Sequence, residues 1–436
     1  MTVPPLHKGG AFYWVENVKT QAIIHSMNKK NIKSVSFGCR LNALESEKIK
    51  NMLSEHIETA VVVNTCAVTA EAERQSGQAV RKIARENPNV QLFVTGCAAT
   101  RNPDLFRNIP NTKVIHNQDK MKIESYLSGN IALPDGDIKN IPNTDSKLSK
   151  QFVQIQNGCN HKCAYCITRA LRGPAVSFEY IDILADVQTA VKNGFYEIVL
   201  TGVDIASYVK KDGDRVILLS DLCKKLLADV PEIQRLRLSS VDPAVPDVKN
   251  IIELIKSDKR MMPHMHFSMQ SGSDTILKSM GRRHNADMVR DLVALADGKI
   301  TFSWDIICGF PGETDDLFNE TLELARQTKP IKIHAFPFSP RPDTVAASMQ
   351  NQVDRNISKQ RVKIIADIAS DNRLQFMHTQ IGKTVQILVE ENNLGRTPND
   401  IAVKISGDKI PPKTICDILL VDICGDVFVG QQVLDK

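Results

Sequence analysis

The densest chemistry in the chain lies between Gly158 and Gly173, GCNHKCAYCITRALRG, where Cys159, Cys163 and Cys166 follow the pattern C-x3-C-x2-C just after the apolar run FVQIQ. Three thiolates on one short loop can hold one metal centre. Structural zinc normally closes with four protein ligands, and His161, inside the loop, would complete only a poor tetrahedron. Iron–sulfur clusters take soft thiolates, and a four-iron cluster held by three of them keeps one iron free to bind something else. On this reading the open iron is the functional feature.

Three further cysteines are far apart in sequence: Cys39 in FGCRLNALESE, Cys66 in NTCAVTAEAERQ and Cys97 in TGCAAT. Each follows a short apolar run (VSF, AVVV, VQLFV) that reads as a buried strand. Segments such as LESEKIKNML, with Ile49, Met52 and Leu53 at helical spacing, read as crossover helices of a small parallel sheet. The carboxyl ends of such strands share one edge, where ligands bind, so the three cysteines can converge. Small residues beside each leave room for a bulky inorganic centre. A single buried cysteine is more often a core residue than a ligand. Cys223, Cys308, Cys416 and Cys424 lie in apolar helical or strand contexts and read as packing residues.

These residues need elements to position them. At 436 residues the chain exceeds the size at which a single core stops growing. An extension at 1–30 precedes an N-terminal open parallel α/β sheet domain at 31–124. The Pro-, Gly- and Asn-rich stretch at 125–148 reads as a linker. From 149 to 372 six strands, FVQIQ, EIVLTG, RLRLSS, HMHFSMQ, ITFSWDIICGF and KIHAFPF, alternate with helices. This is a partial (β/α)6 barrel of TIM type, with its chemistry at the carboxyl ends of the strands. Short β-rich runs over 373–436 predict a small C-terminal β-barrel.

No eighteen-residue apolar span and no secretory signal is visible, so no membrane is involved and the expected location is cytoplasmic. Ten cysteines in such a chain point to metal ligands, catalytic thiols or core rather than disulfides. Lys plus Arg exceed Asp plus Glu by only 55 to 50, too little to establish an anionic partner.

The cysteine spacing, with Tyr165 before the last cysteine and a strand before the first, resembles the radical S-adenosylmethionine (SAM) superfamily. The resemblance implies that the open iron chelates SAM and that one electron from the reduced cluster releases a 5′-deoxyadenosyl radical. It also implies SAM contacts at Tyr165, at Thr201, Gly202 and Asp204 of TGVD, at Ser239 and Ser240, at Gln270 of QSGSD, and at Gly309 and Glu313 of ICGFPGET. The N-terminal trio is similar to the domain that precedes this barrel in methylthiotransferases. There Cys39, Cys66 and Cys97 would hold a second 4Fe-4S cluster, beside the one on Cys159, Cys163 and Cys166. The C-terminal portion is similar to the RNA-binding TRAM domain.

Within the family, FGCRLNALESE, NTCAVTAEAERQ and HAFPFSPRPDT look most like the MtaB type. That implies addition of a methylthio group to C2 of N6-threonylcarbamoyladenosine in a tRNA anticodon loop, with a low-potential electron donor and a sulfur source as partners. One SAM would methylate sulfur and another would form the radical. Related types act on isopentenyladenosine or on a ribosomal-protein aspartate, and a non-catalytic iron–sulfur or zinc RNA-binding protein is the distant alternative. Arg169, Arg172, Arg282, Arg283 and Arg341 fall near predicted strand ends, where they could meet phosphates, a solvated arginine being the commoner alternative for any one of them. The family commonly has Ile-Pro and then Arg-Gly followed by Arg-Ser after the third cysteine; here the corresponding pairs are Ile167-Thr168, Arg172-Gly173 and Val176-Ser177. From Ile381 onward six basic and eight acidic residues give a net charge of minus two, so RNA binding there needs a local patch, with Arg396 its first candidate, or else leaves most phosphate binding to the central barrel.

Overall fold

The early apolar runs form the sheet that their spacing implies. In the computed structural model, which describes residues 31–128, 138 and 148–433, β1 (Asn31–Ser36), β2 (Thr59–Thr65), β3 (Leu92–Gly96) and β4 (Thr112–Val114) lie side by side in that order, all parallel. β2 is apolar on both sides because helices cover both faces. Val61 and Val63 pack with Val80 and Ile83 of the helix Ala70–Glu86; Ala60 and Val62 pack with Ile49 and Leu53 of the helix Arg40–Ser54. The first of these helices starts at Thr69, whose hydroxyl accepts from the Ala72 N–H at 3.1 Å. At the start of the expected linker, Glu124–Leu127 is a helical turn that buries Tyr126 edge-on to Phe93, with ring centroids 5.1 Å apart. The expected extension at 1–30, and all of 129–147 except residue 138, lie outside the described residues.

Six parallel strands follow: β5 (Gln151–Gln154), β6 (Glu197–Thr201), β7 (Arg235–Leu238), β8 (His264–Gln270), β9 (Thr301–Cys308) and β10 (Lys332–Pro337). They form two three-stranded sheets, β5-β6-β7 and β8-β9-β10, joined by the bridges Leu236 to Met261 and Val241 to Phe267. The six-unit partial barrel is therefore present. Period-two alternation sorts each strand. Met265, Phe267 and Met269 of β8 and Phe302, Trp304 and Ile306 of β9 enter the core beneath the helices. The other faces turn to the lumen and pair there: His264 bonds the hydroxyls of Thr301 (2.8 Å) and Ser303 (2.9 Å), and His266 bonds Ser303 (2.7 Å) and faces Asp305 at 3.1 Å.

The 24-residue helix Arg355–His378 crosses the boundary expected at 372/373 and leads into a closed five-stranded barrel. Its strands are β11 (Thr384–Val389), β12 (Leu394–Arg396), β13 (Ala402–Ser406), β14 (Ile415–Cys424) and β15 (Val427–Gln432), in the order β11-β12-β13-β15-β14. This barrel docks against the amino ends of the central strands. Arg235 donates to the carbonyls of Arg396 (3.1 Å) and Thr397 (2.9 Å), Asn399 donates to the Pro263 carbonyl (2.9 Å), and Lys150 pairs with Asp400 (3.3 Å). Of the cysteines read as packing residues, Cys223 and Cys308 are buried and Cys416 is half-buried, but Cys424 is exposed where β14 ends at its turn.

Burial, and next the charge of Arg237, push His264 down to about 3 from an ordinary 6.5. Between those values the unfolded chain binds the additional proton. The stability contribution is full above pH 6.5 and is lost as pH falls toward 3. His264→Gln should therefore flatten the fall of stability across this window, by at most about 1.4 kcal/mol per pH unit. Urea unfolding at a series of pH values measures it, and an unchanged acid limb would assign the slope to other groups.

Candidate active site

The Cys159–Cys166 loop leaves the barrel just beyond β5. Its base is closed by the antiparallel pair Gln156–Asn157 with Val176–Ser177 and by the Cys159 N–H donating to Gly173 O at 3.1 Å. Its far side is held by Ala164, which donates to Met280 O and accepts from Ala346 N–H, each at 2.9 Å. The N–H groups of His161 and Thr168 point at Cys159 Sγ and Cys166 Sγ, both at 3.4 Å, and Arg282 Nη1 lies 3.8 Å from Cys163 Sγ. Such donors stabilise sulfur that carries negative charge. Burial pushes the Cys159 thiol up to about 11 and the Cys166 thiol upward too, so a metal centre entering here displaces protons. The three soft donors, each with a nearby N–H or guanidinium, fit an iron–sulfur cluster.

The residues expected to contact SAM gather around this loop in part. Thr201 ends β6 and is buried. After Gly202, the N–H groups of Val203 and Asp204 donate to Gln156 Oε1 at 3.0 and 2.9 Å. Asp204 turns toward the loop and accepts from His161 Nε2 at 2.7 Å. Tyr165 packs edge-on to Phe310, with centroids 6.5 Å apart. Ser239, half-buried, and Ser240, exposed, follow β7. Gln270, at the end of β8, has a positive φ of 69° directly after a register irregularity, a backbone state that side-chain-bearing residues rarely hold without a reason. Gly309 and Glu313 stand differently. At φ +78° a Cβ on Gly309 would lie 1.9 Å from Ser358 Oγ, and the Glu313 carboxylate is taken up by the Gly309 N–H (2.6 Å) and by Arg361 (2.7 Å). Both brace the turn after β9 against the helix Arg355–His378.

Cys39, Cys66 and Cys97 all lie just past the carboxyl ends of β1, β2 and β3, so the fold brings the N-terminal trio to one edge. Burial pushes the Cys66 thiol up, and the neighbouring Cys97 and Cys39 push it further. Gly38 makes the space: at φ +87° a Cβ there would sit 2.5 Å from Cys66 Sγ. Asn117 Nδ2 lies 3.7 Å from Cys97 Sγ. This edge also fits a cluster held by three cysteines.

Several arginines differ from the expectation that they meet phosphates. Arg172 is buried on Glu45, at 2.9 and 3.0 Å; Arg282 pairs with Asp242 at 3.1 Å; Arg341 is buried on Glu73. Buried Glu45 and Asp242 and half-buried Glu73 each need a cationic partner, and that need claims the side chain. Arg169 and Arg283 remain exposed. Arg396 is also engaged, with Glu390 at 3.3 Å and the Asp400 carbonyl at 3.3 Å, so it is not a free RNA contact.

Asp242 is the residue that sequence reasoning missed. It gathers Arg282, Arg283 (3.1 Å) and His161 (3.7 Å) under the loop, and its only sequence signal is its place two residues after the serine pair. Burial raises its carboxyl, but Arg282 and the Ala244 N–H outweigh that and hold it below the usual range. The donor atoms of Cys159, His161 and Asp204 lie within 4.8 Å of one another. A cation between them would face the Arg283 guanidinium, 3.2 Å from His161 Nε2, which disfavours the zinc reading.

Replacing Gly38 by Ala would fill the space beside Cys66. After anaerobic reconstitution, iron should fall from about eight to about four per chain with the fold retained by circular dichroism. Full iron content in that variant would remove Cys66 from the site.

The comparisons with known proteins agree with this geometry. Residues 153–325 match the family model described as "Radical SAM superfamily", and residues 31–116 match "Uncharacterized protein family UPF0004". The chain is 39% identical over 383 residues to threonylcarbamoyladenosine tRNA methylthiotransferase MtaB of Rickettsia prowazekii, covering 85% of this chain and 90% of that one. The MtaB of Chlamydia pneumoniae is 33% identical, with 83% and 87% covered. The tRNA-2-methylthio-N(6)-dimethylallyladenosine synthase of Endomicrobium trichonymphae is 30% identical, with 86% and 93% covered. Among solved structures, the radical SAM methyltransferase TsrM of Kitasatospora setae, with tryptophan and a SAM analog bound, aligns at a TM-score of 0.50 and 12% identity over 70% of this chain and 72% of that one, a likeness of fold. The spacing of the loop cysteines, the two matched family models and the near full-length relatives converge: the chain belongs to the radical SAM methylthiotransferase family, MtaB type.

Proposed function

We propose that this chain transfers a methylthio group to C2 of N6-threonylcarbamoyladenosine beside the anticodon of tRNA. Cys159, Cys163 and Cys166 hold the SAM-binding 4Fe-4S cluster, and Cys39, Cys66 and Cys97 hold the second. The observation that carries this reading is the joining of the two cysteine sets. Asn117, beside Cys97 Sγ, donates to the carbonyl of Leu171, five residues past Cys166, at 3.1 Å. The substrate comes from the names of the relatives, five of which at 30–39% identity are threonylcarbamoyladenosine enzymes.

When bound, the clusters and SAM supply the electron, the radical and the sulfur. The chain supplies position. The turn Thr201–Asp204, fixed by Gln156 and tied to His161, forms the wall beside the loop, and Gln270 stands at the end of β8, two strands along. Arg169 faces solvent at the rim and fits a phosphate of an anticodon loop, whereas Arg283, although exposed, is held by Asp242 at 3.1 Å. An adenine in such a loop is weakly stacked and can be turned outward at modest cost. The acidic C-terminal barrel contributes little phosphate neutralisation through Arg396, which leaves that task to the rim. This chemistry needs a low-potential electron donor and a sulfur source, and a tRNA substrate supports a cytoplasmic location. Among the described residues no helix is long and apolar enough to cross a membrane.

Nucleoside analysis of tRNA tests the reading. A strain lacking the gene should lose the methylthio form of threonylcarbamoyladenosine, the intact gene should restore it, and the Cys159→Ala variant should not. Loss of the isopentenyladenosine product instead would reassign the substrate.

A further inference from the structure

A buried polar network links the two cysteine sites, and Arg172 is its centre. The residue closes the short helix Thr168–Arg172 directly after Cys166. Its guanidinium donates to both oxygens of Glu45, at 2.9 and 3.0 Å, to Asn157 at 3.1 Å and to Asn42. Glu45 also takes Lys120 at 2.6 Å, and the three side chains are 1–3% exposed. From there the network reaches every loop of the N-terminal trio. Asn42 donates to the carbonyls of Phe37 (2.9 Å), two residues before Cys39, and Thr65 (3.2 Å), one before Cys66. Lys120 donates to Asn117 at 2.9 Å, and Asn117 reaches Cys97 Sγ and the Leu171 carbonyl.

A buried ion triad adds little net stability compared with well-packed apolar residues of the same volume, and its best-attested use is to fix register between packed parts. Only a planar fork holds two acceptor groups at fixed angles at once; an ammonium does not. Resting on the two-cluster reading above, we propose that Arg172 is a positioning residue that sets the separation and orientation of the two cysteine sites. The radical generated at one site would take hydrogen from the base, which would then bond sulfur at the other, so the two sites must hold a fixed relative geometry, and misplacement on the order of 1 Å would leave the radical to be quenched.

Arg172→Lys keeps the charge and loses the fork, so it tests geometry rather than folding. In reconstituted enzyme, 5′-deoxyadenosine released per methylthio nucleoside should rise by roughly tenfold or more while SAM cleavage persists. Glu45→Gln should move the ratio the same way, and the exposed Arg326→Lys should leave it unchanged. In the metal-free chain, hydrogen exchange should quicken together at residues 39–45, 64–67, 97–100 and 168–172 in Arg172→Lys, with β8 and β9 unaffected. An unchanged ratio with unchanged exchange would overturn the proposal, as would parallel loss of cleavage and product at a constant ratio. A wild-type chain that makes no methylthio nucleoside would sink the functional reading instead, and the exchange arm would still decide the role of Arg172.

Discussion

Glu45 is a fully buried carboxylate, and much of the architecture answers to it. Burial alone would drive its proton back on, yet Lys120 and Arg172 together outweigh that and hold it ionised. One partner comes from the segment after β4, the other from the loop of the central barrel. An isolated charge at this depth would be costly, so neither partner can leave without the other two rearranging. The N-terminal sheet and the barrel mouth are thereby held in one register. Further ties, Glu73 with Arg101 and Arg341 and Lys48 with Asp186, frame the same interface. Apolar packing supports it too, since Leu171 and Ile167 join the core around Val94 and Ala98.

The central barrel is polar inside and is closed at its amino end by the C-terminal barrel. Glu197, Arg235 and Arg237 form a second buried charge cluster there, in which the two arginines overcome the burial that would otherwise neutralise Glu197. The helices outside supply the apolar core, and the lumen instead carries His264, His266, Ser303 and Asp305 in a connected chain of polar contacts. One end of the strands is thus committed to holding the C-terminal barrel, and the carboxyl end is left to the cysteine loop and its neighbours.

Much of this was legible in the chain. Both cysteine sets could be located because a strand end is a local event: a short apolar run stops and a small residue follows, as at VTGC or VNTC. The six β/α units were legible for the same reason, through alternation on β8 and helical periodicity between strands. The fate of the arginines was not. Arg172 and Glu45 are 127 residues apart and Arg341 and Glu73 are 268 apart, so nothing local distinguishes a buried arginine from one that meets a phosphate. The protein partners of Glu313 and Gly309 were not legible either, because Arg361 and Ser358 arrive on a helix more than forty residues later.

The sequence by itself determined the cysteines, their spacing within the loop, the order of the three folded parts and the family. Those properties reside in chemical identity and in periodicities shorter than one element. Only the tertiary structure decided which charges are spent inside, that Asp242 stands beneath the loop and faces His161 within it, and that Cys97 and Leu171 are one side chain apart. Burial and long-range pairing set these, because the free energy of a charge depends on what the fold brings within a few ångströms of it.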